Sequence, residues 1–412
     1  MGSVSNTGGI TGPETGGAAV GTASLKSGSR LIELDILRGF LLLWMTLTHL
    51  PTKANIISNQ TFGFVSGAEG FIFLAGFMVG QLESRKESRA GAAATVRDIG
   101  RRTWRIYVYH SALVALAFTV FAKFSVAYHR MAIQNLLSYY LQDSKHAVIA
   151  AALLLYRPSL MDILPMYIVF MALTPVARRI AHRWGWDPLV YASFGIWAAA
   201  QFGLRAWLYR QGRLFGLDVP ETSTGAFDLY AWQLLWLVAL ALGTIYAERL
   251  REANDAHAAD DDSGLQPWLV RLSLVVAGCF LVLRYSPIDR LMDPNVYGWL
   301  IDKWHLGPAR VINFTAITVV LVRFGTRIAS PRFLRPLAAM GQASLEVFSV
   351  HVFCCLCGVA LSHDADPNLP LWQQALLLVF TLSALFATAY FVRWKRARGR
   401  SAAQAGLALA VN

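Results

Sequence analysis

Residues 32–51 read IELDILRGFLLLWMTLTHLP, an apolar run that carries ionisable side chains in its interior. A run of this length predicts a helix that crosses the membrane, because about 20 residues cover about 30 Å of hydrocarbon. Ionisable residues inside such a helix are unfavourable to insert and therefore indicate function. Arg38 and His49 lie on one face of the helix, about 16 Å apart along its axis. Asp35 lies on the same face beside Arg38, and Pro51 ends the helix.

The composition of the whole chain also indicates a membrane protein. Of 412 residues, 55% are hydrophobic and only 15% are charged, and the mean hydropathy is +0.44. A water-soluble globular chain carries about 25% charged residues. A soluble enzyme, a disordered protein and a disulfide scaffold are therefore excluded. The net charge of +12 is typical of the Lys/Arg excess on the cytoplasmic side of membrane proteins, so we expect no nucleic-acid partner.

The sequence predicts an all-α fold, a polytopic transmembrane helical bundle of about ten spans. Residues 1–30 are rich in Gly, Ser and Thr and predict a disordered cytoplasmic tail, followed by a transmembrane domain at 31–394 and a basic, then apolar tail at 395–412. The short apolar stretch 146–157 predicts a re-entrant or interfacial piece. The ten predicted spans are 33–50, 61–82, 105–127, 160–177, 188–204, 229–247, 267–285, 308–324, 337–360 and 371–392.

The orientation of the bundle follows from its charged connections. Alternate connections, together with both tails, hold about twice as many Lys and Arg residues as the connections on the other side. Both termini are therefore predicted to be cytoplasmic, which requires an even number of spans.

The second predicted span contains one carboxylate, Glu69. It lies about 12 Å below the outer surface, close to the depth of His49 on the neighbouring span. A carboxylate beside an imidazole fixes the tautomer of the ring and raises its basicity, as a general base requires. We therefore predict a contact between Glu69 and His49, the alternative being a hydroxyl partner for Glu69 elsewhere in the bundle.

The third predicted span begins with basic residues at its cytoplasmic end. Arg102 and Arg105 share one helical face, with Arg101 beside them. Guanidinium groups suit phosphate oxygens, so this cluster predicts a phosphate site, the alternative being ordinary anchoring of the helix end. His110 lies one and a half turns deeper and is predicted to line the same channel.

Other ionisable residues are predicted to contact substrate. Arg157 and Asp162 flank the outer entry of the fourth span, and the ninth span contains Glu346 and His351. His351 has helical spacing to two cysteines, but no second cluster of ligands accompanies it, so we expect no metal site. The four cysteines, all in apolar runs, are expected to act as small hydrophobes: Cys279, Cys354, Cys355 and Cys357.

Several of these motifs resemble those of a known family. The segment Asp35-x-x-Arg38-Gly39 with His49-x-Pro51, followed by the run AEGFIFLAG at 68–76, is similar to the OpgC family. Those are bacterial inner-membrane proteins that succinylate osmoregulated periplasmic glucans, and they are related to the integral-membrane family 3 acyltransferases. The latter share an Arg and a His separated by ten residues and an Arg-x-x-Arg at the cytoplasmic side. The run DILPMY at 162–167 also resembles the family.

The resemblance implies a multi-pass protein of the bacterial inner membrane that moves an acyl group, most simply succinyl, from cytosolic acyl-CoA to hydroxyls of a periplasmic glucan. No permanently bound cofactor is implied. We expect His49 and Glu69 to be catalytic. The donor would be bound by Arg38, Arg101, Arg102 and Arg105. Substrate contacts are expected from Asp35, His110, Arg157, Asp162, Glu346 and His351. An outer-side arginine such as Arg157 would meet the free carboxylate of a succinyl group.

Two alternatives come from other functional classes. A proton-coupled transporter would use the intramembrane carboxylates and histidines as a relay, but it gives no role to the cytoplasmic arginines. A polyprenyl-linked sugar transferase would need an acidic outer loop and a large periplasmic domain, and the sequence shows neither.

Overall fold

The computed structural model describes residues 32–214, 216, 219–255, 265–329, 331–362, 364 and 369–411. The predicted tail at 1–30 lies outside the described residues. The described part of the chain is helical and contains no strand. Its first helices are α1 (Ile32–His49), α2 (Ala54–Ser58), α3 (Gly67–Leu116), α4 (Ala122–Ala127), α5 (Met131–Leu136), α6 (Ser138–Gln142), α7 (Ser144–Ala152), α8 (Ile163–Trp184), α9 (Asp187–Gln201) and α10 (Leu204–Leu214). The remaining helices are α11 (Leu229–Asp255), α12 (Pro267–Tyr285), α13 (Pro294–Ile301), α14 (Pro308–Ala329), α15 (Arg335–Gln342), α16 (Ser344–Leu361) and α17 (Leu371–Val411).

Seven helical stretches of the described chain are long and apolar enough to cross a membrane. The prediction of a polytopic helical bundle is thus confirmed for the described residues. One of the seven, Gly67–Ala127, combines α3, a π-helical turn and α4. Helix α1 has 18 residues but carries three charged side chains, and α9 has only 15 residues. The number of spans and the side on which the termini lie stay predictions.

Helix α3 is a hairpin rather than one straight rod. Gly91 has φ 80° and ψ 166°, a conformation that only glycine adopts readily. The two arms face each other, because Lys86 pairs with Asp98, and Glu83 accepts a hydrogen bond from Arg102 at 3.0 Å. The second and third predicted spans are therefore separate arms that meet at Gly91.

The first arm of α3 lies at the centre of the bundle, directly against α11. A Cβ atom added to Gly80 would overlap the backbone carbonyl of Leu240, and one added to Gly243 would overlap that of Phe77. Small residues allow this approach, as is usual where transmembrane helices pack closely.

Helices α1 and α15 approach each other in the same way. A Cβ atom on Gly39 would overlap the carbonyl of Leu337, and one on Gly341 would overlap the carbonyl of Asp35. The predicted span 337–360 is broken at Ala343 into α15 and α16. The break lets α15 pack against α1 while α16 continues at a new angle.

Two further predictions concern the stretch 146–157 and the tail at 395–412. The stretch 146–157 contains α7, whose last residue accepts a hydrogen bond at 2.9 Å from the Tyr107 hydroxyl on α3. This contact places the stretch against the second arm of α3, and its re-entrant character stays a prediction. Helix α17 continues unbroken past residue 394, so no structural break separates the predicted tail at 395–412 from the span before it.

Candidate active site

The end of α1 brings two histidines together. The Nδ1 atom of His49 lies 3.4 Å from Nε2 of His351 on α16, with the ring centres 5.5 Å apart. His351 is buried, and its Nδ1 lies 3.5 Å from the Sγ atom of Cys355, one turn further along α16. The Nε2 atom of His49 makes no hydrogen bond to any described residue. His49 is only half-buried, so this nitrogen is the one available to a reacting group.

Glu69 does not contact His49, and that prediction is wrong. Its Oε1 accepts hydrogen bonds from two guanidinium nitrogens of Arg310, one of them Nε at 2.8 Å, and both side chains are fully buried. Its Oε2 accepts from the backbone nitrogen of Ser66 at 3.0 Å and from the Ser66 hydroxyl at 2.5 Å. Because Glu69 lies in the first turn of α3, the helix cap directs its carboxylate toward Ser66 and α14 instead.

A lysine lies close to these groups. The ammonium of Lys303, between α13 and α14, is 5.1 Å from the centre of the Trp304 ring and 5.9 Å from that of Phe227. Among the described residues no carboxylate forms an ion pair with Lys303. Burial lowers the pKa of Lys303 below its usual value, and the negative charge of Glu69 partly offsets the effect.

Arg157 and Asp162 meet on either side of Gly225. A Cβ atom on Gly225 would lie 2.9 Å from Cβ of Arg157 and 3.4 Å from Cβ of Asp162. The Nε atom of Arg157 donates to the Leu154 carbonyl at 2.8 Å, while its terminal nitrogens make no hydrogen bond to any described residue. Asp162 is buried and accepts a hydrogen bond from the backbone nitrogen of Ala226 at 3.4 Å. The terminal nitrogens of Arg157 therefore have no partner among the described residues.

His110 is an unusual buried residue. Its exposed fraction is 1%, and neither ring nitrogen has a hydrogen-bond partner in the described chain. A buried polar group without a partner is unfavourable, so each one needs an explanation. His110 lies on the second arm of α3, further along the helix than Arg105. Its role in lining a channel stays a prediction.

The predicted phosphate cluster is engaged in ion pairs within the protein. Arg102 donates to Glu83 at 3.0 Å, and Arg105 donates to Glu346 on α16. Arg101 is exposed. Anion binding at this cluster would therefore compete with two carboxylates, which the sequence analysis did not foresee.

Asp35 and Arg38 link α1 to α15 and α16. Gln342 donates to Oδ2 of Asp35 at 3.2 Å, and Arg38 donates to the Ser344 hydroxyl at 2.5 Å. Asp35 is fully buried. Both residues thus fix the junction around Ala343, at the opposite end of α1 from His49.

Sequence reasoning missed several of these partners. Neither Lys303 nor Arg310 was identified as a candidate site residue from the sequence, although Arg310 lies inside the predicted span 308–324. The rule that flags ionisable residues within spans would have identified Arg310. The pattern Ser66-x-x-Glu69 is a capping box, which already predicts where the Glu69 carboxylate points. Nothing in the sequence indicated that His351 faces His49.

The comparison with known proteins gives one result. The family model described as OpgC protein matches residues 30–397, nearly the whole chain. No curated protein and no solved structure matches the chain.

Proposed function

We propose that this chain, which belongs to the OpgC family, is a membrane acyltransferase that moves a succinyl group from cytosolic succinyl-CoA to hydroxyls of a periplasmic glucan. Membership of the family implies acyl transfer to glucans in general. The acyl-CoA donor, the succinyl group, the inner-membrane location and the residues that act are the parts proposed.

The observation that carries the mechanism is the pair of His49 and His351. If Nδ1 of His49 bears the proton, it donates to Nε2 of His351, whose own Nδ1 proton then points at Sγ of Cys355. This arrangement leaves a lone pair on Nε2 of His49, the nitrogen that bonds to no described residue. A general base needs this tautomer, and a fixed hydrogen bond on the other nitrogen selects it.

The proposed transfer is a single displacement. The sugar oxygen attacks the thioester carbonyl while Nε2 of His49 takes the hydroxyl proton. The new C–O bond forms, the C–S bond breaks, and the proton passes to the thiolate, which leaves as CoA. His351 is a positioning residue in this scheme, since it acts through His49.

Two cations are available for the free carboxylate of a succinyl group. Both the terminal nitrogens of Arg157 and the ammonium of Lys303 lack a carboxylate partner among the described residues. A guanidinium binds a carboxylate through two parallel hydrogen bonds, which favours Arg157 for this task. His110, with one donor and one acceptor in its neutral form, suits an amide of the pantetheine arm on its way to His49.

The transporter alternative is weakened by Glu69. A proton relay from Glu69 to His49 requires the two side chains to exchange a proton, yet Glu69 is bound to Arg310 and Ser66.

The proposal is tested with purified protein, succinyl-CoA and periplasmic glucan, measuring thiol release and the mass of the glucan product. His49→Ala should lower the rate by about 10²–10⁴, the usual contribution of a general base. His351→Asn should lower kcat with little change in KM for succinyl-CoA, because it disturbs only the orientation of His49. His146→Ala is the matched control, since His146 is exposed and bonded to Asp143 at 2.6 Å.

Transfer by His49→Ala at close to the unmodified rate would remove His49 from the mechanism. Absence of thiol release by the unmodified protein with every acyl-CoA tried would remove the donor assignment.

A further inference from the structure

One carboxylate oxygen of Glu346 accepts hydrogen bonds from two guanidinium groups. Its Oε1 accepts from Nη2 of Arg105 on α3 and from Nη2 of Arg396 on α17, the latter at 3.0 Å. The exposed side-chain fractions are 52% for Arg105 and 40% for Arg396, against 13% for Glu346. The two cations are therefore open to solvent while they converge on a single oxygen.

Arg396 is held in place from its other side as well. Its Nη1 donates to the backbone carbonyl of Gln342 at 2.7 Å, at the end of α15. The side chain of Gln342 donates in turn to Asp35 at 3.2 Å. The guanidinium is thus oriented before any ligand arrives, although it lies in the stretch that the sequence predicted to be a separate tail.

The charges of this group do not cancel. Two guanidinium groups share one carboxylate, which leaves a net positive charge at an exposed position. A phosphate group carries more charge than a carboxylate and offers three oxygens, so it satisfies two converging guanidinium forks better. Arg102 lies one turn of α3 away from Arg105.

We infer that Arg396 is a further guanidinium of the donor site and binds a phosphate of acyl-CoA together with Arg105, at the position that Glu346 occupies in the free protein. The inference rests on the proposed function, since it names a further residue for the same donor. It makes the C-terminal helix α17 part of the site, with Glu346 as an internal competitor of the donor phosphate.

The test is isothermal titration of CoA, and separately of adenosine 3′,5′-bisphosphate, into the purified full chain. Arg396→Ala should weaken both ligands about tenfold or more, because a charge-assisted hydrogen bond is lost. Arg396→Lys should recover only part of the affinity, because an ammonium does not reproduce the planar fork. Glu346→Gln should tighten CoA, since a neutral amide competes less well for the two guanidinium groups.

The matched control is Arg398→Ala on the same helix. Arg398 is exposed and lies 4.1 Å from the centre of the Trp394 ring, away from Glu346. Its removal should change the dissociation constant less than twofold. Equal affinities in Arg396→Ala and Arg398→Ala, or weaker binding in Glu346→Gln, would overturn the inference.

The outcome is separable from that of the proposed function. Unchanged binding in Arg396→Ala together with weakened binding in Arg105→Ala overturns only the role of Arg396. No CoA binding by the unmodified protein overturns the donor assignment as a whole. If Arg396→Ala unfolds at a lower temperature than Arg398→Ala, Arg396→Gln, which keeps a donor for the Gln342 carbonyl, is measured in its place.

Discussion

At the scale of single residues, the partner of a charged side chain depends on the direction in which it leaves its helix. The depth of a residue follows from its position along a helix, and on this basis His49 and Glu69 are predicted to lie near one level. The direction of a side chain around the helix axis depends on the neighbours, and the sequence does not contain that information except at caps. Ser66 supplied such information for Glu69, whereas no pattern predicted the pairing of His351 with His49.

Glu69 provides the prediction that belongs to this scale. Glu69→Gln leaves the Arg310 guanidinium buried without its counter-charge, which destabilises a protein by about 3–5 kcal/mol. We expect a lower unfolding temperature and a lower yield in detergent. The double variant Glu69→Gln with Arg310→Met should recover most of the loss, because no unpaired charge remains.

The control is Glu221→Gln, which alters an exposed glutamate in a short 3₁₀ turn. An unchanged unfolding temperature in Glu69→Gln, combined with a hundredfold slower transfer, would instead restore Glu69 to the catalytic machinery.

At the scale of helices, glycines allow α1 to lie directly against α15 and α3 directly against α11. The positions of most helices were predictable from hydropathy, because an apolar run of about 20 residues is typical of a membrane-spanning helix. The break at Ala343 was not, since nothing local marks it and its cause is the close contact of α15 with α1.

Gly39 tests this contact. Gly39→Ala places a methyl group on the carbonyl of Leu337, so α1 and α15 must separate and the junction between Asp35, Arg38 and α16 opens. We expect loss of transfer activity and a clearly lower unfolding temperature. Gly100→Ala is the control, because a Cβ atom there meets nothing within 4 Å and alanine favours a helix by up to about 1 kcal/mol. Equal stability of the two variants would show that the helices are not in close contact.

At the scale of the whole molecule, the prediction concerns the side of the membrane on which each connection and the C-terminus lie. The basic residues at the Gly91 turn and on α17 favour a cytoplasmic location for both. We expect alkaline phosphatase fused after Ser286 to be active and the same fusion after Ala329 to be inactive. A fluorescent protein at the C-terminus should fluoresce, as it does in the cytoplasm. Equal phosphatase activity at both sites would contradict a membrane crossing by α14 between them.

The pairing of Glu69 with Arg310 has a consequence for how the protein is made. The two residues are 241 positions apart, so at about 5–20 residues per second roughly 10–50 s separate their synthesis. During that interval the first arm of α3 is in the membrane with its carboxylate but without the guanidinium. The nitrogen and hydroxyl of Ser66 are already present, because they belong to the same helix end. We therefore expect Ser66 to be the partner of Glu69 during translation, and its replacement by alanine to reduce membrane insertion of the newly made chain.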